Sequence, residues 1–430
     1  MKILVKGGRL VDPANDLDGR FDILIDGTTV EKIDRHISET NKRTKVIDAR
    51  GHIVAPGLID VHAHLREPGY EYKETIKTGT QAAAKGGFTT VVSMANTMPV
   101  NDNKSVTEFI VEKARSGGAS RVLPCGSITR GLAGEELSEI GEMYEAGIVA
   151  LSDDGKSVKN AGLLRRALEY AKLFNLPVIS HCEDETLARG YVHEGLFSLL
   201  SGLEPTPSIA EEIIVERDIA LARYVDAPMH LTHISTAGSV EIIERAKKKF
   251  GKITCDTCPH YFTLTDEATL GYDTNAKVNP PLRSKNDLKA IRDGLRSGVI
   301  DIIATDHAPH ESTSKEVEFD IATSGISGFE TALALSLALT HEGLLPLKAL
   351  IRKLTVNPAR MLNLPSGELT VGGPADLIIF NTDIKWTVDK NEFLSRGKNT
   401  PFHGWKLRGK NLLTMVGGKI VYRDAGLFKA

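Results

Sequence analysis

The chain has 430 residues, 41% of them hydrophobic, which is enough for one large barrel with an added module or for two to three domains. Its 53 basic and 56 acidic side chains give a formal charge of −3, which excludes the positive field that holds nucleic acid or anionic lipid. No apolar run approaches the roughly 20 residues that span a bilayer, and four cysteines in so long a chain indicate a reducing compartment. We therefore predict a cytoplasmic protein without nucleic-acid or membrane partners.

Short alternating strands are predicted at both ends of the chain. Residues 1–55 alternate between apolar and polar positions, and their first apolar stretch is too short for a signal peptide. Residues 366–430 resemble them, most clearly in the segments 375–380 and 413–421. We predict that the two ends pair into one small β-sandwich module.

Eight short apolar runs rich in valine and isoleucine occupy the middle of the chain, with helical patterns between them. The runs end near His64, Met94, Gly126, Ser152, His181, His233, Cys258 and Thr305. Alternating strands and helices form a parallel sheet, and eight such units close into a TIM barrel with its chemistry at the carboxyl ends of the strands. We predict an α/β fold whose (β/α)8 catalytic barrel covers residues 56–365. Two long loops, 259–285 and 309–326, are predicted to act as lids or clamps.

The predicted strand ends carry the residue types that bind catalytic metals. His62 and His64 are two residues apart on one strand, so their side chains share a face, and Arg66 follows them. A dinuclear hydrolase needs about three or four ligands per metal and one group shared by both ions. A lone histidine is more often a packed core residue, but several that agree with one barrel geometry favour a metal site. Six residues meet this condition: His62, His64, Asp154, His181, His233 and Asp306.

Two motifs, at residues 60–69 and 304–310, resemble the hallmark segments of the dihydroorotases in the amidohydrolase superfamily. The likeness covers nearly the whole chain and includes shorter segments at 86–90, 96–99, 279–283 and 367–369. It implies the zinc-dependent, reversible interconversion of N-carbamoyl-L-aspartate and L-dihydroorotate, a step of de novo pyrimidine biosynthesis. The substrate is thus expected to be a small molecule.

The resemblance also implies two zinc ions per subunit, bridged by a hydroxide. Such ions lower the pKa of a bound water from 15.7 towards about 7, so that hydroxide is available to attack the ring amide at neutral pH. Asp306 is expected to take the proton and deliver it to the departing ring nitrogen. The implied ligands are His62, His64 and Asp306 for one ion, His181 and His233 for the other, and Asp154 between them.

The identity of the bridging group has alternatives in this sequence. Adjacent strand residues face opposite ways, so only one of Asp153 and Asp154 can point at the metals. The family spacing to His181 favours Asp154, as in the longer bacterial type. Shorter dihydroorotases, hydantoinases and allantoinases bridge with a carboxylated lysine, and a carboxylated Lys156 stays an alternative here.

Five further residues are predicted to select the substrate. Because dihydroorotate carries a carboxylate, we expect a bidentate pair between it and Arg66, although a solvated charge at the barrel rim is the other interpretation. The resemblance implies that Asn96 and His310 complete this clamp, while a turn-forming role competes for Asn96. It also implies that Asn279 and the backbone around Gly325 read the amide edge of the ring.

Other polar residues near the strand ends are assigned structural roles. Cys255 and Cys258 have a CxxC spacing without a second pair, and we expect them and Cys182 to be packed, inert thiols. His307 is predicted to orient the neighbouring aspartate. His230 is predicted to serve packing.

Two other functions compete with this interpretation. One is a hydantoinase or allantoinase, which the aspartate pair and Arg66 argue against. The other is an inactive scaffold that supports aspartate carbamoyltransferase, but such family members have lost metal ligands and this chain retains all six. A homodimer and an association of the active enzyme with the carbamoyltransferase are both compatible with the sequence.

Overall fold

The computed structural model describes residues 2–38, 44–426 and 428. Its strands are β1 (Lys2–Asp12), β2 (Leu17–Asp26), β3 (Thr29–Asp34), β4 (Lys45–Asp48), β5 (Ile53–Pro56), β6 (Leu58–Ala63), β7 (Phe88–Ser93), β8 (Arg121–Gly126), β9 (Ala150–Leu151), β10 (Val178–His181), β11 (Val192–His193), β12 (Pro205–Thr206), β13 (Met229–Thr232), β14 (Ile253–Thr257), β15 (Ile302–Ile303), β16 (Leu377–Thr387), β17 (Lys406–Val416) and β18 (Lys419–Arg423). Its helices are α1 (Ile76–Gly86), α2 (Lys104–Gly117), α3 (Ile140–Ala146), α4 (Ala161–Leu173), α5 (Leu196–Ser201), α6 (Ile209–Val225), α7 (Ala237–Lys247), α8 (Lys285–Ser297), α9 (Phe329–His341), α10 (Leu347–Leu354) and α11 (Val356–Met361). None of the helices in these ranges has the length and apolar character that crossing a membrane requires.

The predicted barrel of eight parallel strands is confirmed. Its strand order is β6-β7-β8-β9-β10-β13-β14-β15, while β11 and β12 form a small separate pair. Each strand ends within two residues of its predicted end. The first and last strands meet through a parallel bridge between Ala63 and His307 and a hydrogen bond of 2.8 Å from the His64 amide to the His307 carbonyl. The carboxyl ends of all eight strands therefore face one opening.

Local sequence signals set the ends of the barrel helices. The side chain of Asn160 caps α4 by accepting a hydrogen bond from the Leu163 amide at 3.1 Å, and Ser284 caps α8 in the same way through the Asp287 amide. Both residue types satisfy amides that the first helical turn leaves without a partner. Gly87 ends α1 in a left-handed conformation with φ of 95°, which turns the chain directly into β7.

The predicted β-rich module built from both chain ends is also confirmed. Its strands follow the order β18-β17-β16-β5-β1-β2-β3, with β4 paired to β1. The two ends of the chain meet where Leu377 pairs with Pro56 and Phe380 pairs with Ile53 in antiparallel register. Hydrogen bonds link these strands into one continuous sheet, and a buried cluster from both chain ends packs on it. This module holds the first barrel strand, because β5 leads directly into β6.

A buried aromatic side chain supports the closure of the barrel. Phe329 in α9 is fully buried, stacks on the His307 ring at 4.0 Å and lies 5.6 Å from the Phe88 ring. We expect Phe329→Ala to lower the free energy of unfolding by about 3 to 5 kcal/mol, because it removes a large buried side chain and leaves a cavity. Urea denaturation measures the change, with Phe109→Ala on α2, 39% exposed, as the control. Equal losses in the two variants would contradict this role in packing.

Candidate active site

All six predicted ligands lie in one buried cluster at the carboxyl ends of the barrel strands. Asp306 Oδ1 is 3.1 Å from His64 Nε2 and 3.5 Å from His62 Nε2, although 242 or more positions separate these residues in the chain. On the other side of the cluster, His181 Nδ1 is 2.8 Å from His233 Nε2. The eight-stranded barrel therefore brings together donors that are far apart in the sequence.

Asp154 lies in the middle of this cluster. Its Oδ1 is 3.2 Å from His62 Nε2, 3.6 Å from His181 Nδ1 and 3.7 Å from His233 Nε2. Its Oδ2 is 3.4 Å from His64 Nε2. One carboxylate thus faces both groups of histidines, which is the position that a group shared by two metals must occupy.

The neighbouring candidates for the bridge point elsewhere. Asp153 Oδ1 accepts hydrogen bonds from the amides of Ile128 at 2.7 Å and Thr129 at 3.0 Å, and its Oδ2 accepts one from the Thr129 hydroxyl. The Lys156 side chain is exposed to solvent. Both residues follow the end of β9, and their carboxylates have different partners, so Asp154, and not Asp153, lies in the cluster.

Three site residues have a left-handed backbone that is uncommon outside glycine. The φ angles are 64° at Arg66, 42° at His233 and 44° at Asp306. Each such residue costs of order 1–3 kcal/mol and persists only where its surroundings enforce it. All three residues lie one to three positions beyond the end of a barrel strand, and all three line the same cavity.

The electrostatics of the cluster keep both aspartates ionised. Burial alone would raise the pKa of Asp154, but the charge of His62 and the proximity of the His181 and His233 rings hold it well below its usual range. Burial would also raise the pKa of Asp306, but the combined effect of the His64, His62 and His233 rings outweighs it and lowers this pKa. Both carboxylates are therefore anionic at neutral pH and can act as metal ligands.

The donor set fits a metal. Two groups of side chains have ligand atoms within 4.8 Å of one another: His62, Asp154 and His233, and His62, His64 and Asp306. His62 Nε2 and Asp154 Oδ1 are buried and have no hydrogen-bond partner among the described residues. Such groups cost about 1–3 kcal/mol each when left unsatisfied, and a divalent cation would satisfy them. Imidazole nitrogens with carboxylate oxygens are the ligands that zinc and related metals prefer.

Hydrogen bonds from the Nδ1 atoms orient two histidines of the cluster, His62 and His64. His62 Nδ1 donates to Thr232 Oγ1 at 2.7 Å, and that hydroxyl donates to Asp256 at 2.9 Å. His64 Nδ1 donates to Asn96 Oδ1 at 2.9 Å. These bonds leave both Nε2 atoms free to bind a metal. Asn96, predicted to contact the substrate, can offer only its amide nitrogen for that purpose.

Sequence reasoning missed Asp256 and Glu183. Asp256 accepts hydrogen bonds from the His233 amide and from His230 Nε2, both at 2.7 Å, so His230 belongs to this network as well as to the core. Glu183 lies two residues after His181, and its Oε2 is 3.4 Å from His181 Nε2. The only signal in the sequence was that each acidic residue lies at or just beyond a strand end.

The predicted substrate residues line one cavity of about 200 Å3 beside the cluster. Arg66 Nη2 is 3.2 Å from His310 Nε2, and Arg66 Nε donates to the Pro309 carbonyl at 3.3 Å. His310 Nε2 donates to the Ser324 carbonyl at 2.9 Å. The cavity wall also includes His64, Asn96, Asp154, Gly155, His181, His233, Asn279, Asp306, Ala308 and Gly325. A guanidinium and two amides thus face the same space as the carboxylates and imidazoles of the cluster.

Gly325 lies against Ala308 at the wall of this cavity. Its φ is 140°, and a Cβ atom at this position would lie 2.7 Å from the Ala308 carbonyl oxygen, so only glycine fits. Its amide donates to the Lys277 carbonyl at 2.9 Å, and its carbonyl accepts from Asn399 Nδ2 at 2.9 Å. Because both backbone groups already have partners, this glycine contributes mainly the close approach of the wall.

The remaining candidates have the structural roles that their burial indicates. The four cysteines are buried and free, and burial raises the pKa of the Cys182 and Cys258 thiols well above the usual value. Because the thiolate is the reactive form, these two cysteines are expected to be inert at neutral pH. His307 stacks on Phe329 and lies 3.6 Å from Glu74 Oε2, so it supports the junction of the first and last strands.

Comparisons with known proteins identify the family of this chain. A family model described as dihydro-orotase-like matches residues 51–239, and one for the amidohydrolase family matches residues 215–422. The dihydroorotase of Syntrophus aciditrophicus is 51% identical over 99% of this chain and 100% of its own length. That of Acetivibrio thermocellus is 50% identical over 98% of this chain and 99% of its own length. The chain belongs to the dihydroorotase family.

Solved structures of related enzymes share the whole architecture. The L-hydantoinase of Arthrobacter aurescens superposes with a TM-score of 0.89 and 26% identity, covering 98% of this chain and 96% of its own. A D-hydantoinase of a Bacillus species gives a TM-score of 0.85 at 25% identity, covering 98% and 95% of the two chains. Membership of the family makes this chain a metal-dependent hydrolase that acts on a small cyclic amide.

Proposed function

We propose that the enzyme interconverts N-carbamoyl-L-aspartate and L-dihydroorotate, in the cytoplasm, as a step of de novo pyrimidine biosynthesis. The observation that carries this proposal is the position of Arg66, whose guanidinium lines the same cavity as the Asp154 and Asp306 carboxylates. A substrate that carries a carboxylate next to a cyclic amide needs a cation beside the hydrolytic centre. The full-length relatives named dihydroorotase support the same substrate.

We propose that two zinc ions occupy the cluster. His62, His64 and Asp306 would hold one ion, His181 and His233 would hold the other, and Asp154 would contact both. When bound, zinc polarises a carbonyl oxygen and lowers the pKa of water to about 7. The unpartnered His62 Nε2 and Asp154 Oδ1 support this assignment. Metal analysis of the purified protein tests both the identity and the number of ions.

Asp306 is the residue that we expect to move the proton. It lines the cavity and is largely buried, with 7% of its surface exposed. The His64, His62 and His233 rings together lower its pKa against the effect of burial, so it begins as a carboxylate that can accept a proton from water. It then delivers this proton to the departing ring nitrogen, and the synthetic direction uses the same two transfers in reverse.

Replacement of Arg66 tests the substrate clamp. We expect Arg66→Ala to raise KM for dihydroorotate by about 10- to 100-fold with a smaller change in kcat, because a charge-assisted bidentate bond is worth about 1.5–3 kcal/mol. Arg66→Lys should restore only part of the loss, since lysine cannot form the planar pair. Lys73→Ala is the control, because Lys73 is a nearby half-buried cation that stacks on Tyr72 and does not line the cavity. An unchanged KM in Arg66→Ala would refute the clamp.

A direct assay separates this proposal from its alternatives. The purified, zinc-loaded protein is assayed with dihydroorotate, hydantoin and allantoin at equal concentrations. We expect turnover of dihydroorotate to exceed that of the other two by orders of magnitude, because neither competitor offers a carboxylate to Arg66. Preference for hydantoin would instead indicate that this enzyme is a hydantoinase, the activity for which the solved structural neighbour is named. A protein with full zinc content and no turnover of any of the three would be a scaffold.

Association with other chains remains a prediction from the family resemblance. We propose a homodimer, and an association with aspartate carbamoyltransferase as a further step. Analytical ultracentrifugation of the enzyme, alone and mixed with the carbamoyltransferase, measures both.

A further inference from the structure

Glu183 is a buried acidic residue at the rim of the barrel, with 7% of its surface exposed. Its Oε2 is 3.4 Å from His181 Nε2 and accepts a hydrogen bond from Asn279 Nδ2 at 2.9 Å. Its backbone amide donates to Ser157 Oγ at 3.0 Å, which fixes the chain at this point. One oxygen atom therefore contacts both a proposed metal ligand and a proposed substrate contact.

The contact with His181 selects which ring nitrogen faces the metal cluster. His181 Nδ1 is the nitrogen that lies 2.8 Å from His233 Nε2 and 3.6 Å from Asp154 Oδ1. This nitrogen must therefore be free of hydrogen to bind a metal, and the proton of the neutral ring must be on Nε2. A carboxylate next to Nε2 stabilises that tautomer and holds the plane of the ring.

The contact with Asn279 selects which end of the amide faces the substrate. An ionised carboxylate can only accept hydrogen bonds, so the Asn279 side chain must turn its NH2 group towards Glu183. The amide oxygen is then the end left for the cavity, which Asn279 lines. Dihydroorotate presents ring N–H groups, for which an acceptor is required.

We propose that Glu183 is a positioning residue that sets two things at once: the metal-binding nitrogen of His181 and the polarity of the Asn279 amide. The inference rests on the proposed dihydroorotase function for its substrate half. Its metal half depends only on the contacts of His181. Glu183 thereby couples occupancy of the His181 and His233 metal position to recognition of the ring.

Zinc titration of the metal-free protein tests the first half. We expect Glu183→Ala to bind zinc at the His181 and His233 position about 10- to 100-fold less tightly than the wild-type protein. This is the usual effect of removing a hydrogen-bond partner from a metal-binding histidine. Glu183→Gln should recover most of the affinity, because its amide oxygen can still accept from His181. Competition with a chromophoric chelator measures both constants, and circular dichroism checks the fold. If Glu183→Ala is unfolded, Glu183→Met replaces it at similar volume.

Kinetics of a double-mutant cycle test the second half. Asn279→Ala should raise KM for dihydroorotate without changing zinc affinity. With zinc saturating, Glu183→Ala should raise KM as well, and the two changes together should be no worse than the larger single effect, because both remove the same oriented acceptor. A purely structural role of Glu183 would instead add its own loss to that of Asn279→Ala.

A second buried glutamate supplies the matched control. Glu74 lies 3.6 Å from His307 Nε2, outside the proposed ligand set, so Glu74→Ala should leave both zinc constants unchanged. Unaltered zinc affinity in Glu183→Ala, or additive KM effects in the cycle, would overturn the inference. The unchanged protein is assayed first with dihydroorotate. If it shows no turnover, the proposed function fails, and the zinc titration still decides whether Glu183 positions His181.

Discussion

Asp306→Asn is expected to lower kcat by about two to four orders of magnitude in both reaction directions, which is the range attributed to a general acid or base. Asparagine has the same shape and keeps an oxygen that can face His62 and His64, but it cannot accept and return a proton. Because the two side chains have the same shape, the asparagine oxygen can occupy the position of Asp306 Oδ1, 3.1 Å from His64 Nε2. The rest of the cluster should therefore keep its arrangement. KM should change far less than kcat.

Comparison with a second substitution separates the two roles of this residue. Asp306→Ala removes the ligand oxygen as well, so we expect it to lose zinc in addition to activity, whereas Asp306→Asn should retain most of its metal. Elemental analysis of each variant is paired with initial rates for ring opening and ring closure. A metal-loaded Asp306→Asn enzyme with kcat within tenfold of the unchanged protein would remove Asp306 from the proton transfers.

The fold was predictable because its signals repeat along the chain. Each barrel strand is a short, mostly apolar run, and the point where this run gives way to polar residues places every predicted strand end within two residues of the observed one. The pairing of the two chain ends was predictable for a related reason. Strands such as β16 alternate with turns and have no helical partner in sequence, so they must pair with similar strands elsewhere.

The candidate ligands were predictable because they lie at or just beyond the predicted ends of the barrel strands. The residues that orient these ligands were not predictable. Asp256 and Glu183 contact residues from other strands and loops, such as Thr232 and Asn279, and these contacts cannot be read from the sequence. A single acidic residue also has no periodicity that distinguishes it from a surface charge. Asp256 also lies between two cysteines whose spacing drew attention to thiol chemistry. Asn96 shows a further limit, because the sequence could place it at the site but not assign its oxygen to His64.

Asp154 lies between the two groups of histidines, in the position of a group that bridges two metals. We expect Asp154→Ala to lower turnover by about a thousandfold, since the ions that it contacts supply several kcal/mol of transition-state stabilisation, and to lower the zinc content of the purified protein. Lys156→Ala should leave both quantities unchanged, because the Lys156 side chain is exposed. Loss of zinc in Lys156→Ala with retention in Asp154→Ala would identify a carboxylated lysine as the bridge.

Asp153 supplies the matched control for this experiment, because it is the adjacent aspartate and is similarly buried. Its carboxylate accepts hydrogen bonds from the Ile128 amide and from the amide and hydroxyl of Thr129, so Asp153→Ala leaves three buried donors without this partner. Such a loss costs about 1–3 kcal/mol for each donor, and we expect a lower melting temperature with zinc content retained. The two neighbouring substitutions should therefore fail in different ways, Asp154→Ala through metal and Asp153→Ala through stability. Similar zinc loss in both would show that the loop after β9, and not the Asp154 carboxylate, determines metal binding.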